Sequence, residues 1–231
     1  MHKILEDWHK LGAQHGELIP IAERKLDEMS AHPFMRGLWR PRLLAALRWI
    51  EDEQHDLEAQ GRKVVAAEKK GEMRVDGIRI HGRADRIDTL PDGSLAVVDY
   101  KTGSPPSGKM VQEGYALQLG LIGLIAREGG FEGVRGEPSA FEYWSLSRKP
   151  KSRDFGWRSE PVMEGKKTSG IPREDFLPET ERYLREAIAR WILGNEPFTA
   201  RLNPDLPGYA DYDQLMRLDE WQGRDAREDR S

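Results

Sequence analysis

H-G-R-A-D-R-I-D-T-L-P-D-G-S-L-A-V-V-D-Y-K, residues 81–101, decides the fold. Its second half, Leu95 to Tyr100, is apolar around Val97 and Val98 and delivers Asp99 and Lys101 at its end. Pro91, Asp92 and Gly93 come just before, so the pattern predicts a strand emerging from a turn. Successive strand side chains point to opposite faces, which puts Leu95, Val97, Asp99 and Lys101 on one face, the two charges last. Ile78 to Thr89 is also extended in character. Pro-Asp-Gly suits a three-residue hairpin loop, a type I turn closed by glycine in the left-handed conformation. That loop pairs Leu90 with Ser94. Counting back along the ladder sets Asp85 opposite Asp99, and Asp88 opposite Ala96 on the other face.

Two aspartates facing each other repel unless a cation sits between them, and hard oxygen ligands of this kind suit Mg2+ or Mn2+. Lys101 stands beside them. A bare D-x-K also suits a hairpin whose charges are merely solvated, so the motif needs company.

That company is Gly82 to Asp85 as G-x-x-D, Val98 to Thr102 as V-D-Y-K-T, and Gln118 with Leu119 on a downstream helix. Together they resemble the PD-(D/E)xK nuclease superfamily, most closely the RecB-like nuclease domain of AddB, a subunit of the bacterial AddAB helicase-nuclease. The resemblance implies an α/β, restriction-endonuclease-like fold, a mixed β-sheet flanked by helices. It implies catalytic roles for Asp85, Asp99, Lys101, Gln118 and Glu68. Metal ligation would fall to His2, Asp85, Asp99 and the carbonyl of Tyr100. His2 takes the place of the family's first-helix histidine, the alternative being a frayed terminal residue. Glu68, in V-A-A-E, takes the place of a glutamate that points into the site from the preceding strand; the alternative is a solvated strand end. Many relatives carry Tyr four residues beyond the glutamine, and Ile122 departs from that.

Composition bounds the rest. The chain has 231 residues, 38% hydrophobic and 33% charged, with a mean hydropathy of -0.72. No run approaches eighteen apolar residues, so neither a membrane span nor a secretory signal is expected. There are no cysteines, which excludes disulfides and a cysteine-ligated iron-sulfur cluster, and fits a cytoplasmic setting. The net charge of -4 argues against a uniformly basic surface. The distribution says more, because Ser145 to Arg173 holds eight basic and three acidic residues, a net +5. Within it Arg148, Lys149, Lys151 and Arg153 could meet phosphates while Trp157 and Phe155 stack on unpaired bases; a flexible basic loop without a ligand is the alternative.

Along the chain, Ile4, Leu5, Trp8 and Leu11 form the stripe of an opening helix with no capping residue ahead of it, which suggests a fragment of a longer protein. Helices are expected over Leu18 to Met29 and Pro33 to Gln60, the latter breakable at Pro41. A strand is expected over Lys63 to Lys69, one helix over Lys109 to Arg127, a strand over Pro138 to Leu146 and a helix over Pro172 to Leu193. One domain over residues 1–231 is expected: a helical preamble (1–60), a nuclease core (61–195), a closing segment (196–221) resembling AddB proteins, and a flexible tail (222–231). The function implied is metal-dependent hydrolysis of DNA, single-stranded, during double-strand break processing. The implied partners are an AddA-like helicase-nuclease subunit and the rest of the parent chain. A catalytically silent DNA-binding or docking module is the competing reading.

Overall fold

The computed structural model describes residues 1–28, 33–165 and 167–197. The closing segment beyond residue 197, the tail and Lys166 lie outside them. The chain forms a compact unit, Met1–Arg185, and a second unit that begins at Glu186. In the second, a π-helical turn at Ile188–Ile192 carries Arg190, whose guanidinium pairs with Glu186 and Glu196.

The first unit is built on the hairpin. Strands β2 (Ile78–Thr89) and β3 (Leu95–Lys101) flank the Pro-Asp-Gly turn, where the Leu90 N–H donates to the Ser94 carbonyl at 2.8 Å and Gly93 sits at φ +85°. Thr89 pairs with Leu95 and Arg86 with Val98, so one further step brings Asp85 level with Asp99 as the turn chemistry predicted. Strand β1 (Lys63–Val75) runs well beyond the expected Lys69 and lies antiparallel to β2. Ala67 faces Arg86 and Lys69 faces Ala84, which leaves Glu68 level with Asp85. Strand β4 (Pro138–Arg148) lies parallel to β3, and β5 (Phe155–Ser159) antiparallel to β4. The five-stranded mixed sheet therefore has the order β1-β2-β3-β4-β5, beside a parallel pair, β6 (Val162–Met163) and β7 (Ile171–Pro172).

Helices α1 (His2–Lys10), α2 (Leu18–Glu28) and α3 (Pro33–Ala59) cover one face. Leu5, Trp8, Leu18, Leu47 and Ile50 bury there against Val98, Tyr100 and Trp144, each side chain contributing about 1.5–3 kcal/mol. The α3 helix continues through Pro41, whose lost N–H affects only an exposed turn. Glu51 of α3 accepts the N–H groups of Gly16 and Leu18 at 2.8 and 2.9 Å, which fixes the start of α2.

The crossover from β3 to β4 is not the single helix expected over Lys109 to Arg127. Gly114 at φ +82° ends α4 (Gly108–Gln112), and α5 (Gln118–Arg127) begins afresh at the glutamine. Helix α5 lies so close on β2 that a Cβ on Gly82 would stand 2.9 Å from Ile122. Helix α6 (Phe176–Ala187) packs beside it, with Phe176 and Phe141 ring centres 4.3 Å apart. Helices thus flank both faces of a mixed sheet, the α/β architecture expected from the sequence.

A buried layer of charge lies where α3 meets the sheet. Arg62 Nε lies 2.5 Å from Asp88, and the same guanidinium grips Glu142 through two bonds of 2.8 and 3.0 Å. Arg86 binds Asp88 at 2.7 Å and Gln54 at 2.8 Å, and Trp144 donates to Glu142 at 2.8 Å. Asp88 points away from Asp85 as the register requires, and its partners keep it charged although it is fully buried.

Candidate active site

Strand alternation turns Asp85, Asp99 and Lys101 to the face covered by α5, at the end of the sheet where that cover stops. Glu68 joins the row from β1 with its backbone at φ +50°, an uncommon conformation for a strand residue. His2 reaches over from the start of α1: its Nδ1 lies 3.1 Å from Glu68 Oε1 and 3.5 Å from Asp85 Oδ1. His2, Glu68 and Asp85 each offer a ligand atom within 4.8 Å of the others.

Asp99 occupies the other half of the site. Its Oδ2 lies 2.8 Å from Lys101 Nζ, an ion pair at an angle that leaves this oxygen without a hydrogen bond among the described residues. Lys101 instead donates to Gln118 Oε1 at 2.8 Å, so the helix break at Gly114 delivers the glutamine to the lysine. The Tyr143 hydroxyl is buried without a hydrogen-bond partner among the described residues, and burial together with Asp99 pushes its pKa up. The Tyr100 N–H donates to Asp85 Oδ2 at 2.9 Å and orients that carboxylate, while the Tyr100 ring lies on the opposite face beside Trp144.

Burial raises the pKa of Asp85 despite the Tyr100 N–H, His2 and Lys101. Burial also raises that of Asp99, and Asp85 adds to the effect against Lys101. Two desolvated carboxylates held together with a glutamate and an imidazole form a donor set that fits a hard divalent cation. Mg2+ or Mn2+ would be held by His2, Glu68 and Asp85, with Asp99 alongside. Glu68, expected among the catalytic residues as a further carboxylate for metal, stands in the cluster itself.

Sequence reasoning missed Arg83. Its Nε lies 2.8 Å from Glu68 Oε2 and holds the carboxylate toward His2. The signal was present, since Arg83 is the second residue of G-x-x-D. Ile122 is buried over Gly82 and faces the sheet.

Of the residues expected to bind DNA, Lys149, Lys151 and Arg153 lie in or next to the exposed turn between β4 and β5, and Arg148 closes β4. Trp157 is half-buried and donates to Ser147 Oγ at 3.2 Å. Two other cations of that segment are neutralised, Arg158 by Glu53 and Arg173 by Glu160 and Glu164.

Residues 1–205 match the family model described as the PD-(D/E)XK nuclease superfamily. An uncharacterized protein of Rickettsia felis is 27% identical over 214 residues, covering 86% of this chain and 23% of the relative. Uncharacterized protein RC0550 of Rickettsia conorii is 29% identical over 146 residues, covering 57% of this chain and 17% of the relative. The chain therefore spans less than a quarter of the length of these curated relatives. A crystal structure titled SSO0001 is 16% identical over 70% of each chain at a TM-score of 0.30, too low to bear on the assignment. With the match extending from the helix of His2 past the paired aspartates and Lys101, the chain belongs to the PD-(D/E)XK nuclease superfamily.

Proposed function

We propose that the chain is a divalent-metal-dependent deoxyribonuclease that hydrolyses phosphodiester bonds of single-stranded DNA. Its setting would be the processing of double-strand break ends, within an assembly like AddAB that includes an AddA-like helicase-nuclease subunit. The observation that carries the reading is the meeting of Asp99, Lys101 and Gln118 beside the His2, Glu68 and Asp85 cluster. The resemblance of V-D-Y-K-T and its glutamine helix to AddB supports the biological setting.

Phosphodiester hydrolysis needs an attacking water, relief of charge at the phosphorus and help for the leaving oxygen. A bound Mg2+ or Mn2+ would supply Lewis acidity to the phosphate and lower the pKa of water. Lys101, held between Asp99 and Gln118, presents its ammonium to the phosphate oxygens as negative charge grows in the transition state. Gln118 aims that ammonium. The Tyr100 N–H and Arg83 hold Asp85 and Glu68 in place without taking part in bond making.

The test is cleavage of end-labelled linear single-stranded DNA by the purified chain with Mg2+ or Mn2+. EDTA is expected to abolish cutting, and Lys101→Ala to lower it by about 10²–10³-fold, the scale of losing one charge-stabilising donor. Cutting by Lys101→Ala at the wild-type rate would remove the lysine from the mechanism. No cutting by the wild type with either ion, while DNA still binds, would favour a silent binding module.

A further inference from the structure

A groove of about 900 Å³ runs between α3, the start of α1 and the turn joining β4 to β5. Its floor and walls are aromatic and aliphatic, including Trp39 and Phe155, and Arg42, Arg148 and Arg153 line it. None of the three guanidiniums pairs with a carboxylate among the described residues, whereas Arg158 and Arg173 of the same stretch do. Arg148 is braced by the Ser152 carbonyl at 2.7 Å, and Arg42 and Arg153 are exposed. One end of the groove carries Met1 and Thr102, which adjoin His2 and Lys101 in the chain. That end of the groove is thus one chain position from His2 on α1 and one from Lys101 at the end of β3.

We propose that this groove holds the unpaired stretch of the substrate strand next to the scissile phosphate. Arg42, Arg148 and Arg153 take its phosphates, and Trp39 and Phe155 offer apolar faces to its bases. The occupant follows from the combination. Unneutralised guanidiniums call for a polyanion, and the aromatic lining calls for flat apolar groups repeated along it. Single-stranded nucleic acid presents both at once. In duplex DNA the bases are stacked on one another and closed to such a wall. The proposal rests on the nuclease reading for the identity of the strand, and it adds α3 residues that the basic stretch did not reveal.

The experiment measures binding of 5′-fluorescein oligo(dT) to the full chain by anisotropy in EDTA across a NaCl series. A parallel set measures KM for cleavage with Mn2+. The double variant Arg42→Glu with Arg153→Glu is expected to bind at least tenfold more weakly. Its slope of log K against log salt should be smaller by roughly 1 to 2, at about 0.7 per single-strand phosphate lost. Trp39→Ala is expected to lose roughly tenfold and Trp39→Phe to recover most of it, the scale of one stacked base. Both arginines are exposed, so thermal midpoints of the charge variants should match the wild type. If the wild type cuts with metal while the double variant keeps wild-type affinity, slope and KM, the groove proposal is overturned and the nuclease reading stands. If the variants lose oligo(dT) binding but no metal produces cutting by the wild type, the groove stands and the nuclease reading falls. Failure of the wild type to bind oligo(dT), or duplex of equal length competing as well as single strand, overturns the groove.

Discussion

Asp85 and Asp99 are held in the folded chain against their own electrostatics. Burial raises both pKa values, so the metal-free fold favours their protonated forms more than the unfolded chain does. The penalty is absent below the unfolded carboxylate value of about 3.9 and grows as pH rises through the folded pKa. At neutral pH, Asp85→Asn should therefore raise the thermal midpoint of the protein in EDTA, each ~1 kcal/mol relieved being worth about 2–4 °C. Mg2+ in excess should raise the wild-type midpoint by mass action and leave that of the variant nearly unmoved. Calorimetry of both proteins with and without Mg2+ checks the pair of statements; a variant less stable than the wild type in EDTA would contradict them. The pairing of these aspartates was legible because Pro-Asp-Gly sets the hairpin register without tertiary help. The nearness of Glu68 to His2 was legible through family resemblance alone, since 66 residues separate them.

Helix α5 links the sheet to the chemistry. It rests on β2 through Gly82 and begins at Gln118, so its height above the sheet sets the position of the glutamine that holds Lys101. Gly82→Val would force side-chain atoms into Ile122 and Ile125, and α5 would have to lift. Urea unfolding should show a loss of about 1–3 kcal/mol, the usual cost of overpacking. Cleavage should fall further than that loss explains, because the variant remains folded while Gln118 moves from Lys101. If Gly82→Val cuts as well as the wild type at a temperature where both are folded, α5 does not position the lysine. The helix itself was legible from its apolar spacing. Its start was not, because a glycine inside a helical pattern is often tolerated, and the positive φ that ends α4 at Gly114 is a matter of backbone conformation. Of the groove residues, Trp39 reads in the sequence as part of a core stripe and Arg42 as either a phosphate-track cation or a solvated helix face; the groove itself needs the β4–β5 turn brought against them.

At the scale of the compact unit Met1–Arg185, the sheet is joined to its helical cover by charge as well as by apolar packing. Arg62 lies 26 residues from Asp88 and 80 from Glu142, so no local pattern announced the cluster that joins them to Arg86. Burial works against the Asp88 charge, yet Arg86 and Arg62 hold its carboxyl below the usual range, so this contribution is present above about pH 4 and lost below it. His9 of α1 adds a second response to acid. Its Nε2 is buried without a hydrogen-bond partner among the described residues, its ring centre lies 5.2 Å from that of Trp8, and burial followed by the field of Arg86 lowers its pKa to about 4, with Asp88 opposing. A histidine so lowered contributes stability above the unfolded value of about 6.5 that drains away as pH falls toward 4. Between pH 7 and 5 this one group should cost the fold about 2 kcal/mol. The carboxylates are common to both proteins when the wild type is compared with His9→Leu, so the difference isolates the imidazole. Urea midpoints in EDTA at pH 7, 6 and 5 should fall steeply for the wild type and less steeply for the variant, the two curves separating by about 2 kcal/mol at pH 5. Parallel curves would mean that His9 is wetter than its packing indicates. Because α1 carries His2 to the metal cluster, acid that loosens the helix at His9 should also weaken Mn2+ binding in the wild type more than in His9→Leu.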